Sequence, residues 1–155
     1  MKIVTYLSNR DIHLSEIIHL TKPVFKKKQA DDEFTSLIKT IIGQQLSGSA
    51  ATTIISRVEK IFSSKKFYPN IISSTDDHLF RECGMSYSKI NYIKGIARLV
   101  NNQKNYFNNL KKMTDSEVIN ALCSIKGIGV WTASIFAMGN LERENIFAYG
   151  DGTLN

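Results

Sequence analysis

Two glycines, Gly127 and Gly129, stand on either side of Ile128, and a single aspartate follows them at Asp151. The surrounding residues, 122–133, have the pattern of a helix, a tight turn and a second helix. We expect both glycines to take the positive φ angles and close backbone approach that such a turn needs. The unpaired amides that open the second helix favour an anion, so the turn could hold a DNA phosphate. The carboxylate could then act on the same nucleotide.

The predicted DNA contacts of this turn are Gly127, Gly129, Thr132 and Lys126. Backbone amides bind phosphate and do not touch base edges, so the motif would position the protein on DNA without reading sequence. Ile128 would fill the core beneath the turn. The alternative is an ordinary glycine-capped turn between two helices, which occurs in many α-helical proteins.

The elements that would position these residues are predicted to be helices. Apolar residues recur at helical spacing after each of several residues that can cap a helix, namely Asp31 or Asp32, Ser47 and Thr114. Residues 11–20 carry a partial apolar stripe, and the second helix of the turn is predicted from about Val130 to Met138. These short helices predict an all-α fold, an orthogonal multi-helix array with a helix-hairpin-helix motif, in a single domain over residues 1–155.

Composition narrows the class of partner. The net charge of +6 favours an anionic partner such as nucleic acid or an acidic membrane surface. Cys83 and Cys123 have neither a pairing pattern nor metal-ligand spacing, so they suit a reducing compartment and offer no ligand set for a metal or an iron–sulfur cluster. No apolar run approaches about 20 residues and no signal peptide is recognisable. We therefore expect a cytoplasmic protein with no membrane partner and no metal, acting as a monomer.

Four segments together resemble a known family. Residues 34–51 resemble the early helix and Gln-Gln loop of 3-methyladenine DNA glycosylases, and residues 84–93 are similar to the Gly-x-Ser-x-x-Lys segment of that family. Residues 125–133 match its hairpin, and Asp151 stands where its catalytic aspartate falls. The resemblance runs in the right order through the chain. It implies the alkylation-repair branch of the helix-hairpin-helix glycosylase superfamily, with double-stranded DNA as the partner.

The resemblance also implies roles for single residues. Bifunctional members carry a lysine nucleophile where this chain has Trp131, so it implies a monofunctional glycosylase that excises alkylated purines such as 3-methyladenine and 7-methylguanine. Asp151 would stabilise the cation that develops on the sugar, and Trp131 would offer its ring to the cationic base. Gln45 would fill the hole that the flipped nucleotide leaves.

The same family implies no cofactor, apart from a possible monovalent cation on the backbone carbonyls of Cys123, Ile125 and Ile128. Family members also continue into further helices, and they usually have a basic residue where this chain has Asn155. We therefore expect the C-terminal helices of the family to be missing, so that the chain is either a fragment or an incomplete relative.

Structural alternatives remain for these residues. Asp151 lies between two glycines and could belong to an ordinary turn. Trp131 could be a core residue, and Gln44 and Gln45 could cap a helix end. The chain as a whole could be a DNA-binding module or inactive truncated relative without chemistry, or a helical interaction protein with no nucleic-acid role.

Overall fold

The computed structural model describes residues 2–21 and 31–149 of the chain. Within those ranges it has ten α-helices and no strand, so the predicted all-α class is confirmed. The helices are α1 (Lys2–Ser8), α2 (Ile12–Thr21), α3 (Glu33–Gly43), α4 (Gly48–Ile61), α5 (Pro69–Ser74), α6 (Asp77–Glu82), α7 (Tyr87–Asn102), α8 (Tyr106–Lys112), α9 (Asp115–Cys123) and α10 (Val130–Asn140).

The helices begin where the sequence placed capping residues. Asp32 accepts the amide of Thr35 at the start of α3, and Ser47 accepts that of Ala50 at the start of α4. Thr114 and the side chain of Glu117 form the predicted capping box of α9. Such caps bond amides that have no partner inside the helix, so the starts of α3, α4 and α9 are specified by neighbouring residues.

The hydrophobic core is centred on α3. Its side chains at Leu37, Ile38, Ile41 and Ile42 are fully buried, and the helix contacts α4, α7 and α10. The two helices of the hairpin, α9 and α10, pack on each other. The end of α3 and the start of α10 are thereby fixed relative to one another, and these two ends carry the residues of interest.

The helix α2 forms as the stripe in residues 11–20 predicts, with Asp11 accepting the amides of His13 and Leu14. None of its residues is buried, however, and Ile12 and Leu20 are 73% and 84% exposed. Among the described helices, α2 packs mainly against α1. Local capping is enough to start a helix, whereas burial requires a packing partner.

Cys83 and Cys123 are both free thiols. No helix in residues 2–21 or 31–149 has the length and apolar character needed to cross a membrane.

Candidate nucleic-acid interface

The predicted helix-hairpin-helix is present. Helix α9 ends at Cys123 and α10 begins at Val130, and the intervening turn is closed by a hydrogen bond from the Ile128 amide to the Ile125 carbonyl at 3.0 Å. Ile128 is 5% exposed and fills the core beneath the turn, as predicted. Helix α10 ends at Asn140, two residues beyond the predicted Met138.

The two glycines of the turn differ in conformation. Gly127 has a φ of +95°, and a Cβ added to it would lie 2.3 Å from Cγ of Tyr92. Gly129 has a φ of −94° and a ψ of 174°, and a Cβ there would meet no atom within 4 Å. The prediction of a positive φ and a crowded backbone was therefore right for Gly127 and wrong for Gly129. Gly129 is in extended backbone because it is the residue that precedes the first turn of α10.

The N-terminus of α10 is open to solvent. Gly129 precedes the helix and supplies no side-chain cap, and the first hydrogen bond of the helix runs from the Ala133 amide to the Gly129 carbonyl at 2.9 Å. Val130 is 63% exposed. The amides of the first turn have no partner inside a helix, and the helix dipole adds positive potential there. This end can therefore accept an anionic oxygen.

The Gln-Gln loop after α3 reaches the hairpin through Gln44. Its side-chain nitrogen Nε2 donates to the carbonyl of Gly127 at 2.9 Å and to Oγ1 of Thr132 at 3.0 Å. Thr132 is only 4% exposed. The Thr132 side chain is therefore held by Gln44 inside the protein. The DNA contact at Thr132 stays a prediction.

Helix α7 supports both the loop and the hairpin. The ammonium of Lys89 donates to the carbonyls of Ile42 and Gln44 at 2.8 and 2.7 Å, and burial lowers the pKa of Lys89. One turn later, the ring of Tyr92 packs against Gly127. The sequence assigned no role to Lys89 or Tyr92. The Gly-x-Ser-x-x-Lys pattern that ends at Lys89 was the available signal, but nothing in it identifies the carbonyls to which the lysine donates.

One cavity of about 590 Å³ brings these elements together. It is lined by Gln44, Gln45, Ser86, Ser88, Lys89, Tyr92, Gly127, Trp131 and Thr132. The predicted substrate-binding residues Gln45 and Trp131 therefore share one cavity with two residues of the predicted DNA-contacting turn. Gln45 is exposed and has a φ of +55°, and Trp131 is 41% exposed. Lys126 and Gly129 are exposed on the turn, outside the cavity lining.

The predicted catalytic residue, Asp151, lies outside the described residues. The chain that leads towards it is anchored by Arg143, whose guanidinium bonds Asp115 at 3.2 Å and the carbonyls of Leu110, Lys111 and Met113 at 3.1, 3.0 and 2.7 Å. Ala148 is 2% exposed. Arg143 is thus tied to α8 and to the start of α9, whereas Phe147 and Tyr149 further along are 55% and 83% exposed.

The possible cation site can be compared with the turn geometry. The carbonyl of Ile125 already accepts the Ile128 amide, and a carbonyl oxygen has a second lone pair that a cation could use. Among the described residues, no group of three or more His, Cys, Asp and Glu side chains comes together as metal ligands. The cation on the carbonyls of Cys123, Ile125 and Ile128 stays a prediction.

Comparisons with known proteins agree with this geometry. A model of the HhH-GPD superfamily base excision DNA repair protein family matches residues 38–154. A protein of Schizosaccharomyces pombe, DNA-3-methyladenine glycosylase 1, is 29% identical over 97% of this chain and 71% of its own length.

Solved structures of such proteins have the same fold. The crystal structure of a DNA-3-methyladenine glycosidase from Bacillus halodurans matches with a TM-score of 0.77 and 34% identity, covering 84% of this chain and 60% of that one. The 3-methyladenine DNA glycosylase of Schizosaccharomyces pombe in complex with abasic DNA matches with a TM-score of 0.80 and 25% identity, covering 99% and 77%. This chain is thus shorter than each of them. Since the family model covers most of it, the chain belongs to the HhH-GPD superfamily of base excision DNA repair proteins.

Proposed function

We propose that this chain is a monofunctional DNA glycosylase that hydrolyses the N-glycosidic bond of alkylated purines in double-stranded DNA. One observation carries the proposal: the exposed Gln45 and the exposed Trp131 line one cavity together with Gly127 and Thr132, two residues of the turn that is predicted to contact DNA. A base-excising enzyme needs these three functions together, because it must hold the backbone, fill the gap in the duplex and receive the extruded base. The names of the relatives from Schizosaccharomyces pombe and Bacillus halodurans support alkylated purines as the substrate class.

The chemistry needs little from the protein. Alkylation at N3 or N7 gives the purine a positive charge, so the base leaves without a strong general acid. The positive charge that develops on the sugar requires one ionised carboxylate, and we assign this role to Asp151. The ring of Trp131 would attract the cationic base by about 0.5–2 kcal/mol, and this side chain is 41% exposed.

The monofunctional assignment has its own test, because an amine does line the cavity. A lyase would require a lysine to form a Schiff base with the sugar, followed by strand cleavage. The ammonium of Lys89 is engaged with two backbone carbonyls, and Trp131 occupies the position of the family's lysine nucleophile. We therefore expect no covalent complex when borohydride is added to the protein with abasic DNA. A trapped complex that is lost in Lys89→Met would refute this assignment.

The main experiment measures release of 3-methyladenine and 7-methylguanine from methylated duplex DNA. We expect release by the wild-type chain and none by Asp151→Asn. Glu144→Gln, at an exposed carboxylate seven residues earlier, is the matched control and should retain activity. Release that survives Asp151→Asn would refute the role of this carboxylate.

The second candidate function is a DNA-binding module without catalytic activity. The open N-terminus of α10 supports it, because that end could bind a DNA phosphate without any reaction following. It predicts salt-dependent binding to abasic duplex with no base release. Action as a monomer and a cytoplasmic location stay predictions. Sedimentation of the chain with and without duplex DNA tests the first, and imaging of a tagged chain tests the second.

A further inference from the structure

The residue that we expect to enter the duplex, Gln45, has an unusual backbone. Its φ of +55° lies in the left-handed region, which side-chain-bearing residues adopt only where their surroundings hold them there. The neighbours on both sides are fixed. The amide of Gln44 bonds the Ile41 carbonyl at 3.3 Å, and that of Leu46 bonds the Gly43 carbonyl at 3.2 Å.

Two side chains hold the N-terminal side of this loop. Gln44 spans the space between the loop and the hairpin, donating to Gly127 and Thr132. Lys89 holds two of the three carbonyls that precede Gln45, those of Ile42 and Gln44. These carbonyls lie at the C-terminal end of α3, where the helix dipole favours a cation.

The same contacts fix the loop to the turn that would bind phosphate. The carbonyl of Gly127 accepts a hydrogen bond from the side-chain Nε2 of Gln44, and the ring of Tyr92 packs against the α-carbon of Gly127. Tyr92 and Lys89 belong to one face of α7, one turn apart. The loop, the turn and α7 therefore contact one another pairwise, and movement of one element would disturb bonds to the other two.

We propose that Gln44 and Lys89 are positioning residues, which hold Gln45 at a fixed distance from the phosphate-binding amides of α10. This inference rests on the proposed function. Neither side chain needs to touch DNA in order to act. Gln44 and Lys89 act through Gln45, so their contribution is confined to DNA in which a gap in the base stack is available.

The test is a double-mutant cycle on DNA affinity. Gln44→Met keeps the length of the side chain but removes its donors, and Gln45→Ala removes the side chain that fills the gap. Affinity is measured for two short duplexes, one intact and one with a tetrahydrofuran abasic site. A 2-aminopurine beside the abasic site reports by fluorescence whether the stack has been entered.

For the abasic duplex, we expect Gln45→Ala to weaken affinity about tenfold and Gln44→Met about fivefold. In the Gln45→Ala background, the further effect of Gln44→Met should fall below about twofold, because residues that act together are not additive. Affinity for intact duplex should change less than about twofold in every variant. The 2-aminopurine signal should fall in both single variants.

Lys89→Met is the second variant, and we expect the same pattern of affinities for it as for Gln44→Met. It takes the place of Gln44→Met in the cycle if that variant does not fold. Lys94→Met is its matched control, since Lys94 lies on the same helix, is 15% exposed and pairs with Asp77 instead of the loop. It should leave the preference for abasic DNA unchanged.

Several outcomes would overturn the inference. Effects of Gln44→Met and Gln45→Ala that multiply would mean that Gln44 acts independently of Gln45. Equal losses on intact and abasic duplex, or loss of the fold in both Gln44→Met and Lys89→Met, would assign these residues to general stability. If wild-type protein releases alkylated bases while the cycle is additive, the inference fails and the proposed function stands. If wild-type protein binds neither duplex, both fail.

Discussion

Substitution of Gly127 by alanine tests the conformation of the hairpin directly. Two penalties act together at this position. The first is backbone strain, because an alanine at a φ of +95° is in a region that L-residues rarely adopt. The second is overlap, because the new Cβ would lie 2.3 Å from Cγ of Tyr92. The neighbouring atom belongs to a ring fixed at its base on α7, so relief requires movement of the ring or of the turn.

Each penalty has an expected size. Left-handed backbone costs roughly 1–2 kcal/mol for a residue with a Cβ, and overpacking costs about 1–3 kcal/mol. The expected loss in the free energy of unfolding is therefore about 2–5 kcal/mol, against a total of about 5–15 kcal/mol for an ordinary domain. For a chain of this size, the melting temperature should fall by roughly 4–20 °C.

Gly84 and Gly129 provide matched controls. Gly84 has nearly the same φ, +96°, but a Cβ there would meet its nearest atoms at an ordinary 3.7 Å. Gly84→Ala should therefore show the strain alone, about 1–2 kcal/mol. Gly129→Ala needs no positive φ and meets no atom, so its stability should stay within about 1 kcal/mol of wild type. Its DNA affinity should fall if a phosphate binds at this residue, because the new methyl group adds bulk beside the first-turn amides of α10.

The assay is urea denaturation of the three variants, each also combined with Tyr92→Ala. Removing the tyrosine ring should relieve the overlap and lower the cost of Gly127→Ala by about 1–3 kcal/mol. It should leave the cost of Gly84→Ala unchanged. Equal losses for Gly127→Ala and Gly84→Ala, or additivity of Gly127→Ala with Tyr92→Ala, would refute the overlap.

Three further predictions concern stability. Arg143→Met should cost about 2 kcal/mol in urea denaturation, because the guanidinium bonds three carbonyls and Asp115; a loss no larger than that of the exposed Arg98→Met would contradict this. Tyr106→Phe should leave the free energy of unfolding unchanged or raise it by up to about 1 kcal/mol, because the buried hydroxyl has no partner among the described residues. A clear loss of stability would contradict this. A hydrogen bond from Lys111 lowers the pKa of Glu33 from its ordinary 4.5. The ionised carboxylate therefore stabilises the fold above pH 4.5, and this stabilisation is lost as the pH falls through the folded-state pKa. Below pH 5 the melting temperature should therefore fall less steeply with pH in Glu33→Gln than in wild type, and equal slopes would count against the bond.

The parts of the fold that the sequence predicts well are those specified by near neighbours. The caps at Asp32, Ser47 and Thr114 each act on an amide three residues away, so their consequence is readable in the printed sequence. The burial of Ile128 can be predicted in the same way, because an apolar side chain in a tight turn is stabilised when it packs into the core beneath the turn. These positions settle where helices begin and where the hairpin turns.

The parts that the sequence does not predict depend on distant pairs. The bond between Gln44 and Thr132 joins residues 88 apart in the chain, and it turns a threonine that looked available for DNA into a buried one. The two glycines of the turn look equivalent in the sequence, yet only Gly127 has Tyr92 against it. Which ring reaches which glycine is decided by how α7 crosses the hairpin, and no local pattern carries that information.

The left-handed backbone of Gln45 has a kinetic consequence for the search along DNA. Gln44 and Lys89 already hold the loop in the folded chain. Under the proposed positioning, the loop would not have to rearrange each time the protein meets a duplex. In the proposed function, the rate of interrogation would then be set by how often a base leaves the stack. Damaged sites, where this opening is most frequent, would be entered faster than intact ones without any difference in how the protein moves.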